Sequence, residues 1–202
     1  MTIANPARPR QAAIHRTTAE TDIALELFLD GQGRREVTSG VPFLDHMLTL
    51  FTVHGFFDFR LQAKGDVEID DHHTVEDIGI CLGQALAQAL GDKGGIERYA
   101  CVHLPMDEAL VRVVMDISNR PFLHWQVTIP DQKTGNFDTT LAKEFIRAFS
   151  QHGGLTLHVD LLHGDNSHHI IEAVFKGLGR CLREATRPLD GAGGVLSSKG
   201  SL

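Results

Sequence analysis

The apolar residues of this chain follow two spacings that alternate along it. From Thr21 to Leu29 every second residue is apolar, the period of a strand with one buried face. Asp30-Gly31-Gln32-Gly33 then reads as a turn, and Arg34 to Thr38 as the strand that returns from it in a hairpin. Gly40 to Pro42 breaks that run. Leu44, Met47, Leu48 and Phe51 recur at three- and four-residue steps, which predicts a short helix from Phe43 to about Val53, followed by a strand over Phe57 to Ala63. Val75, Ile78, Leu82 and Leu86 continue the helical spacing and predict a helix from His72 to about Leu90.

The same order then repeats. Strands are expected over Ala109 to Asp116 and Pro121 to Ile129, a helix over Thr139 to Gln151, a strand over Leu155 to Leu162 and a helix from His168 to about Thr186. Each half reads ββαβα. Short connections between mixed elements favour an α+β fold: two fused repeats of mainly antiparallel sheet, with helices packed on one face. Gly91 to Gly95 is the joint, so residues 1–95 take the first repeat with an N-terminal arm and residues 96–202 the second repeat with a C-terminal tail, together one compact unit. Residues 1 to about 13 read as a loose arm and Asp131 to Asp138 as a polar connection. The Gly- and Ser-rich stretch from Pro188 to Leu202 is one that propensity alone leaves disordered.

The two longer helices open on the same residues, His72-His73-Thr74-Val75-Glu76 and His168-His169-Ile170-Ile171-Glu172, at an offset of 96 residues (168 minus 72). At that offset Ile78 meets Val174, Leu82 meets Leu178, Gly83 meets Gly179 and Leu86 meets Leu182, so the chain carries an internal duplication. Asp71 and Ser167 stand where an N-cap side chain is expected. On a helix, adjacent side chains point about 100° apart, whereas residues three or four apart share a face. Each Glu can therefore join one His, but the two His of a pair diverge and do not chelate one ion. The simplest arrangement is two metals, each taking one His from one copy and a His plus the Glu from another, within the chain or from a neighbouring subunit. Imidazole and carboxylate without thiolate suit Mn(II), Fe(II) or Zn(II). A lone helical His is ordinarily solvated or hydrogen-bonded; the repeat of the whole set is what favours metal.

Composition narrows the remaining classes. At 202 residues, 42% hydrophobic and 22% charged, the chain has the make-up of a soluble globular protein, and its net charge of −7 excludes a general basic field for nucleic acid or membrane surfaces. An anionic ligand must be met locally, and Arg98, Arg120, Lys176 and Ser197-Ser198-Lys199 are the candidate cations and hydroxyls. Three widely spaced Cys, at 81, 101 and 181, read as reduced thiols of a cytoplasmic protein, with the first and last buried in the motif helices. There is no apolar run of about 18 residues and no signal-peptide core. Aligning Val53-His54-Gly55 with Gln151-His152-Gly153 sets Glu144 opposite His46, one further potential ligand for each half.

Gly40-Val41-Pro42-Phe43-Leu44-Asp45-His46-Met47, Gly65-Asp66-Val67-Glu68-Ile69, the two His-His segments, Pro105-Met106-Asp107-Glu108 and Ser197-Ser198-Lys199-Gly200 together resemble the imidazoleglycerol-phosphate dehydratases of histidine biosynthesis, over nearly the whole chain. That resemblance implies the ribosomal protein S5 domain 2-like fold and a homo-oligomer of 24 subunits built from trimers. It also implies two Mn(II) per active site, with the sites at subunit interfaces. It places metal ligands on His46, His72, His73, Glu76, His168, His169 and Glu172, and one more on Glu144 where other members have His, with nearby His152 as the rival. Substrate contacts fall on Glu20, Arg98, Arg120, Lys176, Ser198 and Lys199. The implied reaction dehydrates imidazoleglycerol phosphate to imidazole acetol phosphate. It runs through a substrate imidazolate held by both metals and a diazafulvene-like intermediate, with Glu20 as the base and Glu172 or a metal-bound water handling the leaving hydroxyl. A two-metal phosphatase and a metal-storage shell are the competing readings; released phosphate, or many ions per chain, distinguishes them.

Overall fold

In the computed structural model, which describes residues 9–189, 194–200 and 202, each half contains the ββαβα order with one more strand in front. The first half runs β1 (Gln11–Thr17), β2 (Thr21–Phe28), β3 (Arg35–Thr38), α1 (Pro42–Gly55), β4 (Asp58–Gly65) and α2 (His72–Leu90). The second runs β5 (Tyr99–Met106), β6 (Ala109–Asp116), β7 (Phe122–Gln126), a two-strand hairpin β8 (Lys133–Thr134) and β9 (Phe137–Asp138), α3 (Thr140–Gly153), β10 (Thr156–His163) and α4 (Ser167–Ala185). The sheets are ordered β1-β2-β4-β3 and β5-β6-β10-β7, antiparallel except at β3–β4 and β7–β10.

Several expectations change. The loose arm is a strand from Gln11, pairing antiparallel with β2 along its whole length, while residues 1–8 of the arm lie outside the described residues. The Asp30–Gly33 turn does not close a hairpin. Asp58 at the start of β4 accepts hydrogen bonds from the backbone N–H groups of Gln32 and Arg34, at 2.8 and 3.0 Å, and is paired with the Arg34 side chain. That anchor carries the chain past β2, so β3 runs parallel beside β4. The strand expected over Pro121–Ile129 is shorter, and the polar connection at 131–138 contains the β8–β9 hairpin. The tail, expected to be free, is tied down in its described part: Gly95 N–H donates to Gly194 O, and the Arg98 guanidinium to Leu196 O. Asp190–Gly193 and Ser201 of the tail lie outside the described residues.

The helices lie between the sheets. α2 covers β1, β2 and β4, α4 covers β5 and β6, and the halves meet helix on helix, α1 against α4 and α3 against α2. Phe51, Phe145, Phe149 and Phe175 are fully buried in this layer; truncating one such ring costs about 3–5 kcal/mol. The two crossings are close because of the duplicated glycines. A Cβ on Gly179 would sit 2.3 Å from Phe51 O of α1, and one on Gly83 would sit 2.7 Å from Gly153 N of α3. These contacts bring the first turns of α4 and α2 beside α1 and α3.

Candidate active site

Each motif helix starts under a side-chain cap one residue earlier than the sequence suggested. Asn166 Oδ1 accepts from the N–H groups of His168 and His169, and Asp70 Oδ1 from that of His72, whereas Asp71 makes no capping bond and Ser167 Oγ instead donates to Asp131. The caps fix both His of each pair in the first turn, where the rings diverge as helix geometry requires: the planes of His72 and His73 lie 81° apart, those of His168 and His169 80°.

One cluster forms where α1 meets α4. His168 Nε2 and His46 Nε2 stand 3.2 and 3.5 Å from Glu172 Oε2, with one donor atom of each of the three within 4.8 Å of the others. Lys176 donates to the other oxygen of Glu172 at 2.5 Å. Burial alone would raise the pKa of Glu172, but Lys176, His168 and His46 together outweigh it and hold the carboxylate below its usual range.

A second cluster forms at the equivalent crossing of α3 and α2. His72 Nε2 is 3.9 Å from Glu76 Oε2, and Arg147 joins Glu76 Oε1 at 2.8 Å to Glu144 Oε2 at 2.7 Å. His152 lies two turns further along α3, exposed, so the fold brings Glu144 to the motif and not its rival.

The remaining His of each pair turns away from its own cluster. His73 Nδ1 meets Asp66 Oδ2 at 3.0 Å and Glu20 Oε2 at 3.8 Å, and the hydrogen bond to Asp66 raises its pKa. His169 Nδ1 meets Glu108 Oε2 at 2.7 Å; that bond raises the pKa of His169 and lowers that of Glu108 to about 2. Glu20 and Glu108 each stand one residue before the second strand of their half, so equivalent turns supply equivalent carboxylates. Sequence reasoning gave no role to Asp66, Glu108 or Arg147. The position of Glu108 just before a strand, matching that of Glu20, was the available signal for one of them.

The candidate anion-binding residues divide into two groups. Lys176 is in the first cluster. Arg98, buried, with φ 69°, donates to Asp116 Oδ1 at 2.7 Å and to Leu196 O of the tail, bringing the exposed Ser198 and Lys199 near. Arg120, largely exposed, lies 3.6 Å from the same Asp116. The backbone of Arg98 bonds to Ala185 O at the far end of α4, and Glu172 is thirteen residues back along that helix. At helix rise this puts about 20 Å of helix between the backbone anchor of Arg98 and the first cluster.

The donors suit a divalent cation: imidazole nitrogens and carboxylate oxygens converge, and the nearest cations already compensate the carboxylates where a metal charge would act. Cys81 and Cys181 are buried, with thiol pKa values raised by desolvation, Cys81 to about 11, and no Cys enters either cluster.

Comparisons with known proteins agree on one family. A family model described as imidazoleglycerol-phosphate dehydratase matches residues 39–182. The imidazoleglycerol-phosphate dehydratase of Desulfotalea psychrophila is 64% identical over 193 residues, covering 96% of each chain. The crystal structure of the Staphylococcus aureus dehydratase is similar with a TM-score of 0.81 at 42% identity, covering 88% of this chain and 99% of that one. The Pyrococcus furiosus structure, in complex with (S)-C348, gives 0.81 at 41%, covering 94% and 100%.

Proposed function

Because this chain belongs to the imidazoleglycerol-phosphate dehydratase family, a family of hydro-lyases of histidine biosynthesis acting on a small phosphorylated imidazole, we propose that its two clusters are the chain's shares of a two-metal centre completed by neighbouring copies. The observation that carries this is the convergence of His46, His168 and Glu172 within 4.8 Å while His169 and His73 turn from these clusters to Glu108 and Asp66. His46, His168 and Glu172 would hold one ion and His72, Glu76 and Glu144 the other, with His73 and His169 lent to other subunits. Mn(II), two per active site, fits this nitrogen–oxygen donor set.

When bound, the two ions would supply Lewis acidity to the imidazole ring of the substrate, easing loss of the hydroxyl on the carbon next to the ring. The protein groups do the rest. Glu20 lies 3.8 Å from His73. If His73 enters a neighbour's site, Glu20 travels with it and is placed to take the proton from the adjoining carbon. Glu172, the carboxylate nearest His46 and His168, is the candidate for the leaving hydroxyl. Arg98, Arg120, Ser198 and Lys199 grip the phosphate, with Lys176 beside the first cluster as a further cation, and so fix the reacting carbons between metals and base.

The separation of about 20 Å between the phosphate group and the first cluster within one chain supports sites shared between subunits, consistent with an assembly of 24 copies. No helix among the described residues is long and apolar enough to cross a membrane, and the unpaired, widely spaced thiols support a cytoplasmic setting. The test is to strip divalent ions, restore Mn(II) and follow imidazoleglycerol phosphate. Conversion to imidazole acetol phosphate with the ester intact is expected. Release of inorganic phosphate, or no turnover with any divalent ion, overturns the reading.

A further inference from the structure

The two clusters are built from equivalent elements but not from equivalent residues. α1 brings His46 to His168 and Glu172, whereas α3 joins Glu144 through Arg147 to Glu76, which lies beside His72. One cluster therefore has two imidazoles and one carboxylate, the other one imidazole and two carboxylates. The extra carboxylate comes with a cation from the same helix. Arg147, one turn beyond Glu144, places Nη2 2.7 Å from Glu144 and 2.8 Å from Glu76, and its Nε also donates to Glu144 at 2.7 Å. At the equivalent place on α1 stands Thr49, which is neutral.

The cation of the first cluster pairs with a single prospective ligand. Lys176 takes Oε1 of Glu172 and leaves Oε2 facing both imidazoles, whose donors already converge. Its counterpart at the repeat offset in α2 is Ile80. Arg147 bridges two of the three prospective ligands of the second cluster, where no such convergence exists among the described residues. Its guanidinium cannot shed its charge. With its side chain nearly half exposed, it has solvent to swing into.

We propose that Arg147 is a displaceable counter-cation of the His72, Glu76 and Glu144 cluster, so that the two metal positions fill in order, His46, His168 and Glu172 first. This rests on the two-metal reading above. Arg147 leaves Glu76 Oε2 facing His72 but occupies Glu144 Oε2 through two nitrogens and ties it to Glu76; drawing Glu144 and Glu76 onto one ion must loosen that tie, which weakens apparent affinity there and not at the first. The carboxylate-rich set also favours harder ions such as Mn(II) or Mg(II) over Zn(II) more strongly than its partner does.

The experiment titrates the metal-free full assembly with Mn(II), reading free ion by electron paramagnetic resonance and heat by calorimetry, with no assay of turnover. Wild type is expected to show two classes of site of unequal affinity, one ion per chain in each. Arg147→Gln should tighten the weaker class by about three- to tenfold, the scale of two partly exposed ion pairs, and leave the tighter class unchanged. Arg147→Lys, keeping the charge without the fork, should fall between and serves if the Gln variant does not fold. His46→Ala should remove the tight class alone. Two indistinguishable classes in wild type, or an unmoved weak class in both Arg147 variants, overturn the inference and leave the two-metal reading standing. Failure of wild type to bind near two ions per chain overturns that reading itself.

Discussion

Glu20 shows how a single carboxylate gains its place from the chain around it. Thr18 Oγ accepts from the N–H groups of Glu20 and Thr21, fixing the β1–β2 turn and leaving the Glu20 carboxylate half exposed beside His73. Glu20→Gln should preserve the circular dichroism spectrum and metal content while turnover falls by about 10²- to 10⁴-fold, the usual contribution of a general base; turnover near the wild-type rate would remove it from that role. Asp58 is a structural counterpart. Arg34 chiefly, with the backbone of Gln32 and Arg34, holds its carboxyl at about 2, below the ordinary 3.8. A depressed folded-state pKa means the stabilisation is complete above about pH 4 and lost as pH falls through 2. Asp58→Asn should therefore cost about 1–3 kcal/mol at neutral pH and flatten the fall in melting temperature below pH 4; an unchanged acid limb would sink this account. The His and Glu candidates were legible because the chain repeats them. Arg147, Glu108 and Asp66 were not, since each acquires its meaning from a partner that the fold brings from elsewhere in the chain, Glu76, His169 and His73.

At the scale of elements, the motif helices were the most legible part, because long apolar periodicity and a duplicated opening leave few alternatives. Their glycines carry a further expectation. Gly179→Ala or Gly83→Ala would force a methyl group into the facing backbone of α1 or α3, costing about 1–3 kcal/mol each by overpacking. Thermal melting of each variant checks this, and an unaltered midpoint would mean the helices part without cost. Strands were harder to read. β1 and β5 are edge strands, and their few inward residues, Ile14 in β1 and Val102 and Leu104 in β5, alternate with polar ones too briefly to stand out. β3 looked like a hairpin return because Asp30-Gly31-Gln32-Gly33 has turn composition. Its true partner depends on Asp58, some twenty-five residues on, which local propensity cannot see.

For the whole molecule, the wide gap between the proposed phosphate-binding residues and the first cluster predicts complementation between chains. His46→Ala and Arg120→Ala should each be inactive alone, and mixed assemblies of the two should regain activity above either parent. No gain on mixing would place both groups in the same chain's site. One feature of the helix layer reaches further back. His46 belongs to the first repeat and meets His168 and Glu172 of the second, while Glu144 of the second is tied through Arg147 to Glu76 of the first. An ancestor carrying a single repeat could have completed such a triad only by colliding with another copy of itself. Joining the copies through Gly91–Gly95 turned that encounter into an internal one, at an effective concentration on the order of millimolar or above. It also released the two triads from having to be identical, a freedom visible in Glu144 and Arg147 standing where the other half has His46 and Thr49.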